Sequence, residues 1–140
     1  MATLYVTSTE TFCGKSALCL GLALHFREEG LKVGYMKPVN TLAPSRGDQP
    51  YDEDVIFIKR TLGLRESLDV LAPVSLTESA IEAILKGEDT TDYVAKLHNA
   101  FAQVSEGSDV TVLEGGQSLR EGYIVGLPTP QVASMLNGKP

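Results

Sequence analysis

Near its amino terminus the chain runs Thr7, Ser8, Thr9, Glu10, Thr11, Phe12, Cys13, Gly14, Lys15, Ser16. Gly14, Lys15 and Ser16 are the types a phosphate-binding loop requires. Main-chain N–H groups surround the phosphate, a lysine reaches the β- and γ-phosphates, and a hydroxyl at the start of the following helix serves magnesium. At the common spacing, Thr9 stands where the first glycine of such a loop belongs. The context adds weight, because the loop follows an apolar stretch and opens a helical pattern. Thr9, Glu10, Thr11, Cys13, Gly14, Lys15, Ser16 and Ala17 are therefore the candidate nucleotide contacts, with Lys15 also a catalytic candidate. For Ser16 the plainer alternative is a helix-start hydroxyl bonded to backbone.

Five further residues can do chemistry. Lys37 and Glu114 each stand at the end of an apolar run, and open α/β sheets bind ligands at the carboxyl ends of their strands. A solvated strand-end lysine is the alternative for Lys37. Asp52, Glu53 and Asp54 open a predicted helix, where they either serve a metal, Asp54 first, or only complement the helix dipole. On the residues alone the metal candidates are thus Ser16 and Asp54, with Glu114 a ligand-binding candidate at its strand end. His25 and His98 have no partner at metal-ligand spacing. Cys19 falls in a helix core, and two cysteines at this spacing make neither a zinc site nor a disulfide scaffold.

The elements that must position these residues are legible in outline. Ala2 to Thr7 reads as a buried strand. Lys15 to Glu29 reads as a helix stopped by Gly30, and Lys32 to Lys37 as a second strand halted by Pro38. Strand, helix and strand in under 40 residues form a βαβ unit with parallel strands. Asn40 to Tyr51 reads as a long loop, and Asp52 to Leu62 as a helix ended by Gly63. Thr77 caps a helix to Lys86, and Thr90 or Thr91 caps another to Val104. Asp109 to Leu113 is a third strand, followed by a glycine loop from Glu114 to Gly126. Thr129 and Pro130 open a last helix, with Gly138 closing it. The fold expected is an α/β, P-loop NTPase-like three-layer arrangement with a mainly parallel sheet, one domain over residues 1–140. Because three strands leave an edge open and the alternation asks for another strand, the chain reads as the amino-terminal fragment of a longer protein.

The loop resembles the lengthened phosphate loop of dethiobiotin synthetases, with Ser8 at the first glycine position. Tyr35-Met36-Lys37-Pro38-Val39 is similar to that family's Lys-Pro-Val segment. The resemblance implies that Lys37 helps hold a developing carbamate and the γ-phosphate, and that Asp54 and Glu114 serve magnesium. The stretch from Glu114 to Leu127 resembles more closely the dethiobiotin-synthetase-like N-terminal domain of some phosphotransacetylases. It departs from the synthetase glycine loop at Gly115 to Arg120, which puts the diaminopelargonate substrate in doubt. The cofactors implied are ATP and Mg2+. The implied roles are a regulatory nucleotide-binding module of a phosphotransacetylase-related protein or an ATP-dependent ligase acting on a carboxylate or carbamate. A partitioning-type ATPase switch is the weakest reading, since Glu10 occupies the place of its second lysine.

Composition bounds the rest. A net charge of −6 and 21% charged residues argue against a duplex nucleic-acid partner or an anionic membrane surface. No stretch approaches the ~20 apolar residues of a membrane span, and no secretory signal is present, so a cytoplasmic setting is expected. The family resemblance implies a homodimer.

Overall fold

A computed structural model describes residues 2–10 and 14–136. The predictions that fall on Thr11, Cys13 and Gly138 lie outside these residues. Strand β1 (Ala2–Val6) leads to helix α1 (Lys15–Glu28) and strand β2 (Val33–Met36). The two strands do not touch. Strand β7 (Val110–Glu114) lies between them and pairs in parallel with both, giving the order β1-β7-β2. The register sets Val6 opposite Glu114 and Met36 opposite Leu113. The carboxyl ends of all three strands are therefore level, and the loops carrying the candidate residues leave from one edge. β7 is buried along its whole length, as expected for a central parallel strand rich in valine and leucine.

The sheet carries helices on both faces. α1 packs on β7 and β2, and α5 (Tyr93–Ser105) packs on the same two strands. Successive residues of a strand point to opposite faces. Gly34 faces α5, where a Cβ would stand 2.7 Å from the Val104 carbonyl oxygen and 3.1 Å from a Val104 methyl. Tyr35, next in sequence, points to the α1 side, towards Cys19. The result is the predicted three-layer α/β arrangement with a mainly parallel sheet. Its core is aliphatic, with Cys19, Val55, Ile58, Leu71, Leu97, Val112 and Leu113 among the residues withdrawn from solvent.

β1 is an edge strand whose residues are exposed or half-buried, not the buried strand expected, and two further expectations need correction. The stretch from Asn40 to Tyr51 is not a plain loop. Strand β3 (Val39–Thr41) pairs in parallel with β6 (Val74–Leu76), and β4 (Ser45–Arg46) with β5 (Gln49–Pro50) forms a tight hairpin. Strands of two or three residues leave no periodicity to read. Pro38 separates β2 from β3 because it has no N–H to give a ladder. The second correction concerns α5. Its N-cap is Asp92, whose carboxylate accepts from the Ala95 N–H at 3.0 Å, whereas the Thr91 N–H goes to the Asp89 carboxylate at 2.9 Å. Asp89 therefore ties the two threonines into a turn ahead of the helix.

Two other helix starts follow the expected chemistry, whereas Thr129 is the first residue of its helix and not the N-cap expected. Asp52 caps α2 (Glu53–Leu62) through the N–H groups of Asp54 and Val55, and Gly63 ends it at φ 63°. Thr77 caps α4 (Glu78–Leu85) through the Ala80 N–H. The short α3 (Leu68–Leu71), a 3-10 turn (Tyr123–Val125) and α6 (Thr129–Leu136) complete the described elements.

The close approach at Gly34 makes a direct prediction. Gly34→Ala must push α5 off the sheet, because the first obstacle is backbone, and it is expected to cost about 1–3 kcal/mol. Urea unfolding measures it; an unchanged midpoint contradicts the packing described.

Candidate active site

Gly14 enters α1 at φ 81°, a left-handed conformation that suits glycine, and no side chain caps the helix. The first-turn N–H groups of α1 thus face the edge of the sheet, which is the arrangement that attracts anions. Lys15 extends back over the loop, its Nζ donating to Ser8 Oγ at 2.7 Å, and the Ser8 hydroxyl donates to the Glu10 carbonyl at 2.6 Å. The predicted contacts Thr9 and Glu10 are exposed and stand outside the pocket wall described below, while Gly14, Lys15, Ser16 and Ala17 line it.

Ser16 sits one residue into the helix, and two carboxylates converge on its hydroxyl. It donates to Glu114 Oε1, and Asp54 Oδ2 lies 3.4 Å away. The three predicted metal residues, from α1, α2 and β7, therefore meet at one point. Glu114 is only 2% exposed. Its second oxygen accepts from the Tyr35 hydroxyl. Burial, and then the Glu114 charge, hold the Tyr35 phenol well above its ordinary pKa, so it remains a donor. Burial also pushes the Cys19 thiol up to about 12, with Glu114 adding to the effect; it is a packed side chain, inert as a nucleophile.

Lys37 leaves the end of β2 and pairs with Asp52 at 2.8 Å, both side chains nearly buried. Asn40 donates to the same Asp52 oxygen at 3.0 Å. The other oxygen of Asp52 caps α2. One carboxylate thus fastens Lys37, β3 and the helix that carries Asp54. Desolvation lowers the Lys37 pKa, but the hydrogen bond and charge of Asp52, with Glu114 and Asp54 beyond, outweigh it and raise the value above 10.5.

These groups line one pocket of about 680 Å³ between α1, α2, β3 and the glycine loop. Phe57 and Pro44 form part of its apolar wall, and Gly115 to Gln117 close one side. Among the described residues no three His, Cys, Asp or Glu form a metal cage. Two carboxylates and a hydroxyl, all oxygen donors, nonetheless fit magnesium, which keeps water and substrate phosphate in most of its coordination sphere.

Residues 2–139 match the profile of the AAA domain family. The chain belongs to this family. Its dethiobiotin-synthetase-like character appears in individual relatives. It is 27% identical over 116 residues to the ATP-dependent dethiobiotin synthetase of Caldicellulosiruptor saccharolyticus, covering 82% of this chain and 48% of that protein. It is 33% identical over 113 residues to the corresponding enzyme of Methanococcus vannielii, covering 80% and 50%. It is 35% identical over 115 residues to the phosphate acetyltransferase of Nitrosomonas europaea, covering 82% of this chain and 15% of that one. The chain thus spans about half the length of the synthetases it matches. Among the described residues of this AAA-family domain, no helix is long and apolar enough to cross a membrane.

Sequence reasoning missed Tyr35 and Asn40 as site partners, and it weighed Asp52 as a metal or helix-dipole residue but not as the partner of Lys37. Tyr35 and Lys37 are two residues apart, a same-face spacing in a strand, and that was the available signal. The role of Asp52 depends on tertiary contacts. The pair it forms with Lys37 carries a pH signature. Since the Lys37 pKa is raised on folding, its stabilisation is complete below 10.5 and is lost as pH rises through the higher native value. Urea midpoints of the parent and Asp52→Asn, followed from neutral pH to above 10.5, are expected to converge at the alkaline end. A gap constant with pH contradicts the pairing.

Proposed function

We propose that this chain is an ATP- and magnesium-binding P-loop domain that acts as the regulatory nucleotide-binding module of a phosphotransacetylase-related protein. The observation that carries the reading is the meeting of Ser16, Asp54 and Glu114 beside Lys15 at the start of α1. In this reading the first-turn N–H groups and Lys15 hold the β- and γ-phosphates. The Ser16 hydroxyl, with Asp54 and Glu114 behind it, holds magnesium, whose chemistry is to neutralise charge across the β- and γ-phosphates. Similarity to a phosphate acetyltransferase, of which the match covers 15%, supports the reading as a module of a related larger protein.

A second reading has its own observation. Lys37 reaches the same pocket next to Asn40 and Asp52. A lysine beside the γ-phosphate could orient an acceptor carboxylate or carbamate and stabilise the charge that develops on transfer. That describes an ATP-dependent ligase of dethiobiotin synthetase type, and similarity to such synthetases supports it.

Calorimetric titration of MgATP into the parent chain and Lys15→Ala tests the shared core of both readings. Binding is expected, with about 10–100-fold weaker affinity in the variant, the loss of a charged hydrogen bond. Equal affinity in the two sinks the phosphate-loop assignment. ATP turnover on adding diaminopelargonate and bicarbonate favours the ligase, and tight binding without turnover favours the regulatory module.

A further inference from the structure

Glu121 lies in the glycine loop and is nearly as buried as the core, at 8% exposure. Its carboxylate contacts two main-chain segments. Oε1 accepts from the Thr41 N–H at the end of β3, and Oε2 accepts from the Gln117 N–H. The loop is cut to fit it. A Cβ on Gly116 would overlap the Glu121 carboxylate. Gly122 adopts φ 86°, donates its N–H to Thr41 Oγ1 at 3.3 Å, and would place a Cβ 2.8 Å from a Val39 methyl. Leu42, directly after Thr41, has φ 56° and is the only non-glycine residue with positive φ among the described residues. Such a conformation in a bulky residue persists where neighbouring contacts over-determine it.

We infer that Glu121 is a positioning residue: its carboxylate clasps β3 to the glycine loop and so sets the Gly115 to Gln117 wall of the nucleotide pocket. The two walls it joins both face the pocket, Asn40 on one and Gly115 to Gln117 on the other. Gly115 follows Glu114 directly, and Glu114 takes the Ser16 hydroxyl. The clasped wall therefore begins beside Ser16, at the proposed magnesium and γ-phosphate end of the pocket, where the Gly115 N–H also bonds the Val6 carbonyl at 2.7 Å. This inference rests on the nucleotide reading above and adds a specificity element to it.

Glu121→Gln keeps size and shape but turns an amide N–H towards one of two N–H donors, so one contact must break. Two measurements decide the matter. Amide hydrogen exchange at Thr41 and Gln117 is expected to accelerate at least about tenfold, with core amides of β7 unchanged. Affinity for MgATP is expected to fall about 5–10-fold while MgADP affinity stays within about twofold. Partial unfolding alone would weaken both nucleotides together. Unchanged exchange overturns the clasp, and faster exchange with an unchanged ATP-to-ADP ratio overturns its positioning role. If the parent bound neither nucleotide, the nucleotide reading and the γ-phosphate role would fall, whereas exchange, which needs no ligand, would still decide the clasp. Gly116→Ala offers a second route: its stability loss is expected to be largely relieved in Gly116→Ala/Glu121→Ala, where the overlapping carboxylate is gone. Strict additivity of the two changes counts against the contact.

Discussion

Placing the Glu114 carboxylate at the end of a fully buried strand is costly unless its oxygens are hydrogen-bonded. Both oxygens have donors here, Tyr35 from the neighbouring strand and Ser16 from the phosphate-loop helix. That solution constrains much else. The parallel register must bring β2 alongside β7 so that Tyr35 and Glu114 meet. Helix α1 must then begin above the same edge so that Ser16 reaches the other oxygen. The phosphate-loop helix and the sheet are thereby locked together at the point where a nucleotide would sit.

Charge balance follows from the same arrangement. The pocket carries Asp52, Asp54 and Glu114 against Lys15 and Lys37. Asp52 and Lys37 satisfy each other directly. Asp54 and Glu114 converge on the Ser16 hydroxyl within reach of the Lys37 charge, so two acidic side chains lie close together. A divalent cation relieves that repulsion, and a polyphosphate brings the negative charge that Lys15 and the first turn of α1 are built to meet. The acidity of the whole chain and the proposed binding of an anion are thus compatible, because the positive potential is local.

Much of this was legible in the chain itself. The strand–loop–helix around Gly14 to Ser16, the strand ending at Lys37 and the strand ending at Glu114 all announce themselves through apolar runs and breakers. Of the named candidates, Ser16, Asp54 and Glu114 meet in space. The pairing order was hidden, since nothing local tells β1 to leave a place for β7 beside β2. Strands β3 and β6 were hidden by their length. Glu121 and the partners of Asp52 were hidden for another reason: each carboxylate acts by accepting from partners distant in sequence or from main-chain N–H groups, which no side-chain pattern encodes. A carboxylate inside a glycine loop looks like solvent-facing charge until the fold buries it.

The central claim is that Glu114 and Ser16 form, with Asp54, the magnesium end of a nucleotide pocket. Its most direct test is ATP affinity with and without magnesium in the parent chain and in Glu114→Gln, a variant that retains an acceptor for Tyr35. The account predicts that magnesium tightens ATP binding in the parent and that the variant loses most of this gain while keeping Lys15-dependent binding of metal-free ATP. A magnesium effect of equal size in both proteins would contradict it.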